Sequence, residues 1–146
     1  MPQDGPRVSD LGFVFLGGAV GATARVALAV AFPVDRGSFP WTTFVENVVG
    51  AFLLALLVTV LVRKAIRDRR IHLAVGTGAL GAFTTYSTFA VELDHLLRDG
   101  GVWVAIVYAT ASLVLGVLAA TGGLLLGRRI TTHGHDPDDG NAEVAR

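Results

Sequence analysis

Four long apolar stretches, separated by short polar segments, make up most of this chain. They cover residues 11–32, 42–62, 72–91 and 102–127. Each reaches the roughly 20 residues that an α-helix needs to cross the hydrocarbon core of a bilayer. Because the connections are short, consecutive helices are expected to run antiparallel. The pattern predicts an all-α integral membrane protein with four transmembrane helices.

The composition agrees with one small membrane domain. The chain has 146 residues, of which 16% are charged, and its mean hydropathy is +0.58. We expect an N-terminal tail at 1–10, a four-helix domain at 11–127 and a disordered polar tail at 128–146. The first stretch continues as a full span and lacks the basic start and cleavage site of a signal peptide. The chain has no cysteine, which excludes disulfides and thiolate metal sites.

Basic residues are distributed unevenly between the two predicted sides of the membrane. Two of them, Arg36 and Arg98, fall on the side opposite the termini. The terminal side holds nine: Arg7, Arg63, Lys64, Arg67, Arg69, Arg70, Arg128, Arg129 and Arg146. Loops rich in Lys and Arg stay in the cytoplasm. The charges therefore predict a plasma-membrane (inner membrane) protein with both termini cytoplasmic, and the basic loop can attract anionic lipid headgroups.

The third stretch is unusually polar for a membrane span. Residues 81–92 read GAFTTYSTFAVE and carry five hydroxyl groups and three aromatic rings. Gly76, Gly78 and Gly81 precede most of them and weaken the helix. Scattered Ser and Thr usually pack against other helices or bond their own backbone. A dense run after glycines instead favours a broken helix that lines an ion pathway.

Three polar residues in the first two spans leave several roles open. Arg25 can anchor the helix by snorkelling to an interface, or it can attract an anion. Glu46 is expected at the outer interface or in a structural pair. Asn47 can solvate an anion or cross-link helices, and taken alone cross-linking is favoured. With no acidic residue expected deep in a span, a proton or cation antiporter is disfavoured.

Four helices enclose little volume, which favours a dimer or larger assembly with the pathway near the interface. Small residues permit the close helix contacts that such an assembly requires. They include Gly17, Gly18, Gly21 and Ala22 in the first span and Gly116, Ala119, Ala120, Gly122 and Gly123 in the last.

Three motifs together resemble the CrcB/Fluc family of fluoride channels. They are GGAVGATAR at 17–25, TTFVENVVGAF at 42–52 and GALGAFTTYSTF at 78–89, the last followed by Glu92. The resemblance runs from about Gly17 to Gly127 and leaves only the two tails outside. It implies a passive, fluoride-specific channel domain that exports cytoplasmic fluoride and relieves its toxicity.

The resemblance also implies an antiparallel dimer with two narrow pathways and a structural sodium ion at the dimer interface. Backbone carbonyls of Gly81 and Thr84 would hold the sodium at the break of the third helix. Unwound carbonyls suit a hard cation in a membrane. The pathway itself would be formed by Asn47, Tyr86, Ser87, Thr88, Phe89, Tyr108 and Ser112. Aromatic ring edges and compact polar donors can replace the water around a small anion.

Two features depart from the family pattern. Tyr86 stands where phenylalanine is common, which puts in doubt whether both pathways conduct equally. The strong charge bias also conflicts with self-pairing of inverted copies. We therefore expect a heterodimer with an oppositely oriented homologue, with a homodimer as the alternative, and no nucleic-acid partner.

Other functional classes fit less well. A small multidrug transporter would need a membrane-embedded Glu in the first span, where this chain has Arg25. A non-conducting membrane subunit would not explain the hydroxyl run. We expect no enzyme activity, because Ser87 has no base near it in sequence. His133 and His135 in the tail can bind a metal loosely, but such residues are more often simply solvated.

Overall fold

The computed structural model describes residues 8–66 and 68–132, and within this part of the chain the secondary structure is helices joined by short loops, with no strand. The predicted tail histidines, His133 and His135, and the basic residues Arg7, Arg67 and Arg146 lie outside the described residues. Helix α1 is Val8–Ala31, α2 is Trp41–Arg63, α4 is Tyr86–Arg98 and α5 is Val102–Thr132. Helix α3 is continuous but irregular. It consists of an α-helical turn at Arg69–Ile71, a π-helical stretch at His72–Leu80 and a second α-helical turn at Gly81–Phe83.

The predicted class is confirmed, including the broken third helix. Within the described residues, three helical segments are long and apolar enough to cross a membrane: Asp10–Ala31, Trp41–Arg63 and Val102–Thr132. Helix α1 begins three residues before the predicted span, and α5 continues into the predicted C-terminal tail as far as Thr132. The third stretch is interrupted at Thr84 and Thr85 and then continues beyond its predicted end to Arg98. The remaining crossing, third in chain order, is therefore made by two half-helices, α3 and α4.

Helices α1 and α3 run parallel to each other in close contact. Five contacts occur in the same order along both helices: Asp10 with Arg69, Phe13 with Arg70, Gly17 with Ala74, Gly21 with Ala79 and Arg25 with Ala82. A Cβ atom added at Gly17 or Gly21 would collide with the carbonyl of the facing alanine. The absence of these side chains is what lets the two backbones touch.

Helices α2 and α5 form the second parallel pair. Gly123 lies against the carbonyl of Phe52, and a Cβ atom at Gly127 would lie 2.8 Å from the Cβ of Thr59. Two parallel pairs require the chain to cross the bundle four times. The contacts of α4 agree, since Glu92 bonds to Thr43 near the start of α2, far from the end where α3 begins.

Most large apolar side chains lie outside the small core. The core is an aromatic cluster around Tyr108, which is fully buried, with Phe44, Phe89 and Leu96. Large side chains such as Phe15, which is 74% exposed, cover the outer faces of the helices. Such surfaces are stable in a bilayer or against another apolar surface. The chain is therefore a multi-pass membrane protein.

The two ends of the bundle differ in charge as predicted for the described residues. Arg63 ends α2, Arg69 begins α3 and Arg128 lies in the last part of α5. The parallel contacts place these three residues at one end of the bundle. Arg36 lies at the other end, where it lines a pocket with Glu92 and Asp99.

Candidate functional site

The site is built around the interruption between α3 and α4. Its residues, Thr84 and Thr85, are extended, with φ and ψ of −79° and 153° for Thr84 and −147° and 124° for Thr85. We call these two residues the junction. Asn47 on α2 bonds to both backbone groups of Thr85: its Nδ2 donates to the carbonyl at 3.0 Å, and its Oδ1 accepts from the N–H at 2.9 Å. The amide replaces hydrogen bonds that a continuous helix would have made.

Because side chains take up these N–H groups, two backbone carbonyls lose the hydrogen-bond donors that a continuous helix would have given them. In an α-helix, the N–H of Thr85 would bond to the carbonyl of Gly81, but here it bonds to Asn47. The N–H of Thr88 would bond to the carbonyl of Thr84, but here it bonds to Oγ1 of Thr85 at 3.1 Å. Gly81 and Thr84 are the residues predicted to hold sodium. Carbonyl oxygens without their helical donors are suitable ligands for a hard cation, so the residues present fit such an ion.

Arg25 fixes the same region from α1. Its Nε donates to the carbonyl of Ala82 at 3.1 Å, and the residue is half-buried. The N–H of Tyr86 would bond to that carbonyl in a continuous helix. Of the two roles left open by the sequence, the structure thus provides a direct contact for anchoring.

Ser87 and Thr88, two predicted pathway residues next to the break, both lie within hydrogen-bonding distance of Thr85 in the junction. Oγ1 of Thr85 donates to Oγ1 of Thr88 at 3.0 Å and lies 3.2 Å from Oγ of Ser87. Ser87 is exposed, whereas Thr88 is half-buried. The hydroxyl run therefore serves first to cap α4, with Thr85 as its N-terminal cap.

Four of the predicted pathway residues converge on one open groove. The groove has a volume of about 390 Å³ and is lined by Asn47, Thr84, Thr85, Tyr86, Phe89, Ala109, Ser112 and Leu113. We call it the Ser112 groove. The Tyr86 and Phe89 rings lie 6.2 Å apart, and Tyr86 is 82% exposed. One wall is therefore open in the single chain.

Ser112 has the most informative side chain of this groove. Its Oγ is buried, yet it has no hydrogen-bond partner within the described residues. A buried hydroxyl without a partner is unfavourable, so a water, an ion or a ligand usually binds to such a group. The groove thus combines an unsatisfied donor, an amide and an aromatic ring.

Tyr108 lies beside this groove rather than in it. It is fully buried, and its hydroxyl donates to Oε2 of Glu92 at 2.7 Å. Thr43 donates to the other oxygen of Glu92, also at 2.7 Å. The Tyr108 ring contacts Phe89, with ring centroids 5.0 Å apart. This Thr43–Glu92–Tyr108 cluster was not predicted, although Glu92 follows Thr88 and Phe89 at helical spacing and so shares their face.

The structure shows no ion pair for Glu46 within the described residues, and the other expected position, at the outer interface, stays a prediction. Glu46 is only 3% exposed and forms no salt bridge with a described residue. Its Oε1 has no hydrogen-bond partner in the same part of the chain. The residue lies six positions into α2, on the side that packs inside the bundle with Thr43 and Gly50. This burial was not predicted, because the sequence does not reveal which face of α2 is covered by other helices.

The sequence matches the model of the family described as "CrcB-like protein, Camphor Resistance (CrcB)" over residues 12–124. The chain belongs to the CrcB family. The resemblance inferred from the three motifs is therefore confirmed, and the CrcB match contains every residue of the junction and the Ser112 groove.

Curated relatives agree with the CrcB assignment. "Fluoride-specific ion channel FluC 3" of Streptomyces avermitilis is 48% identical over 123 residues, which is 84% of this chain and 60% of the relative. "Fluoride-specific ion channel FluC" of Deinococcus radiodurans is 45% identical over 117 residues, 79% of this chain and 92% of the relative. "Fluoride-specific ion channel FluC 1" of Mycobacterium bovis is 39% identical over 121 residues, 83% of this chain and 92% of the relative.

Proposed function

We propose that this chain is a subunit of a fluoride-specific channel that lets cytoplasmic fluoride leave the cell passively. The observation that carries the proposal is the unsatisfied hydroxyl of Ser112, in a groove that Asn47 and Phe89 also line. A small anion can accept a hydrogen bond from the hydroxyl and contact the positive edge of an aromatic ring.

Passive export suits the chemistry of fluoride. Neutral HF crosses membranes from acidic surroundings and dissociates at cytoplasmic pH, which traps the anion inside. A pore that admits fluoride then lowers its concentration without an energy source. We assign the chain to the plasma membrane with both termini cytoplasmic, because its basic residues concentrate at the terminal end. We assign no enzyme activity to it.

The open side of the Ser112 groove requires a second wall. Tyr86 is too exposed for an aromatic side chain that lines a sealed ion path. We assign the missing wall to a second, inverted subunit. We assign sodium to the freed carbonyls of Gly81 and Thr84 as a structural ion at that interface, where its positive charge would make the site more favourable for an anion.

Flux measurements on Ser112 test the channel function. We expect liposomes that contain the active assembly to release fluoride but not chloride. Ser112→Ala removes one hydrogen bond to the ion, worth about 1.5–3 kcal/mol for a charged group, and should slow fluoride release by roughly tenfold or more. Thr110→Ala is the matched control, since it also removes one hydroxyl from α5 but faces a different surface. Equal flux in both variants, or equal release of chloride, would contradict the proposal.

Reconstitution of the chain alone tests the assembly. Nine basic residues against two should orient all copies the same way, and an inverted dimer cannot form from such copies. We expect no flux from this chain alone and restored flux when an oppositely oriented homologue is added. Strong flux from the single chain, with termini labelled on both membrane faces, would show that a homodimer forms instead.

A further inference from the structure

A second groove lies at the basic end of the bundle, between the ends of α2 and α5. It has a volume of about 250 Å³ and is lined by Val58, Thr59, Val62, Arg63, Leu124 and Arg128. We call it the Arg63 groove. It shares no lining residue with the Ser112 groove, so its role is independent of the proposed channel function.

The lower part of the Arg63 groove is apolar. Val58 and Val62 are 45% and 68% exposed, and Leu124 is half-buried. The hydroxyl of Thr59 donates to the carbonyl of Ala55 at 2.7 Å within its own helix, so its proton is not available to a ligand. The contact of Gly127 with Thr59 holds α2 and α5 together beside the groove.

The end of the groove nearest the helix termini carries two positive charges that have no counter-charge among the described residues. Arg63 and Arg128 are both exposed, and neither forms a salt bridge within residues 8–66 and 68–132. By contrast, Arg69 pairs with Asp10 at 3.0 Å and Arg98 pairs with Asp94 at 2.7 Å. The described residues that line the groove include no acidic side chain. Two guanidinium groups suit a phosphate, which they can bind through paired hydrogen bonds.

The position of the groove decides between an amphipathic ligand and a simple anion. Arg63 is the last residue of a span, where the hydrocarbon core of the membrane gives way to headgroups. A soluble phosphate would use the arginines and leave the valines unoccupied. A phospholipid can occupy both parts of the groove. Its phosphate lies at the headgroup level, where the arginines are, and its acyl chain extends toward the hydrocarbon core, along the apolar residues.

We propose that the Arg63 groove binds one anionic phospholipid from the leaflet at the basic end of the bundle. The phosphate lies between Arg63 and Arg128, and an acyl chain lies along Val58, Val62 and Leu124. Basic pockets between membrane helices are known to bind such headgroups. A lipid bound there bridges the ends of α2 and α5 and stabilises this pair of helices.

Lipid titration of the purified full-length protein in detergent tests the proposal. We expect phosphatidylglycerol to raise the thermal unfolding midpoint at lower concentration than phosphatidylcholine does, and glycerol 3-phosphate to have no effect. Arg63→Gln with Arg128→Gln should weaken phosphatidylglycerol binding by about tenfold or more, because two charge contacts are lost. Lys64→Gln with Arg129→Gln is the matched control, since it removes the same charge from neighbouring residues that do not line the groove.

The outcomes separate the alternatives. A larger loss in the groove variant than in its control supports a lipid site, provided that both variants elute as the same assembly as the unmodified protein. Equal loss in the two variants would show only general attraction between a basic surface and anionic lipid. Equal responses to the two lipids, or an effect of glycerol 3-phosphate alone, would also overturn the proposal.

Discussion

The contact between α1 and α3 and the junction between α3 and α4 stabilise neighbouring parts of the same helix in opposite ways. The α1–α3 contact depends on missing side chains, because Gly17 and Gly21 let two backbones touch. The junction depends on side chains that are present, because Asn47 and Arg25 bond to backbone groups that have lost their helical hydrogen-bond partners. The first arrangement is sensitive to volume and the second to hydrogen-bonding geometry. The irregular segment thus lies directly beside a close backbone contact.

Adding volume at Gly21 should produce the largest effect. A side chain there collides with the backbone carbonyl of Ala79, which cannot move aside as a flexible side chain would. We expect Gly21→Leu to destabilise the bundle by about 3 kcal/mol and to prevent assembly. Gly116→Leu is the control, since nothing lies within 4 Å of a Cβ atom at that position. Thermal unfolding and size-exclusion chromatography measure both; similar loss in the two variants would mean that the α1–α3 contact is not special.

Replacing Asn47 should separate the support of the junction from the passage of the ion. Asn47→Leu loses both hydrogen bonds to Thr85 and should cost about 2 kcal/mol of stability. Asn47→Asp keeps an acceptor for the Thr85 N–H but turns a carboxylate oxygen toward the Thr85 carbonyl, so it should cost at least as much. Its negative charge would also repel an anion, so fluoride flux should fall in both variants. Unfolding and flux are measured on the same samples, and normal flux in a stable Asn47→Asp protein would remove this residue from the pathway.

Arg25 should give the smallest effect and decide between its two roles. Arg25→Lys and Arg25→Gln both lose the Nε bond to Ala82, so anchoring predicts a similar loss of about 1 kcal/mol in each. Arg36→Gln removes a positive charge from an exposed arginine in the loop between α1 and α2, so it controls for loss of charge alone. If stability is unchanged in both Arg25 variants and only Arg25→Gln slows fluoride, the charge attracts the anion and anchoring is not its main role.

The sequence predicted the helices and the break better than it predicted the contacts. Apolar length is a local property, so α2 lies within a residue or two of its predicted span. The third helix was predicted to break because Gly76, Gly78 and Gly81 and the hydroxyl run occur close together. Its π-helical stretch was not predicted, since glycines show where a helix is weak but not how its register shifts. The end at Arg98 was missed because α4 becomes polar after Glu92 and no longer resembles a span.

The contacts of the candidate site depend on residues far apart in sequence. The family motifs contain Asn47 and Phe89, and Ser112 was predicted as a hydroxyl donor of the last span; the structure places all three in one groove. The burial of Glu46 could not be predicted, because it depends on which helices cover α2. The bond between Tyr108 and Glu92 likewise requires α4 and α5 to pack together. The sodium ion and the second subunit stay predictions.

The parallel pairing of α1 with α3 has a consequence for how the protein is made. Gly17 and Gly21 reach the membrane early in synthesis, but Ala74 and Ala79 follow nearly sixty residues later. At roughly 5–20 residues per second, α1 remains in the bilayer for several seconds before its partner arrives. During that interval the glycine face of α1 is open to lipid or to other nascent chains. A fragment that ends after α2 should therefore insert but remain a target for quality-control proteases until the second half is supplied.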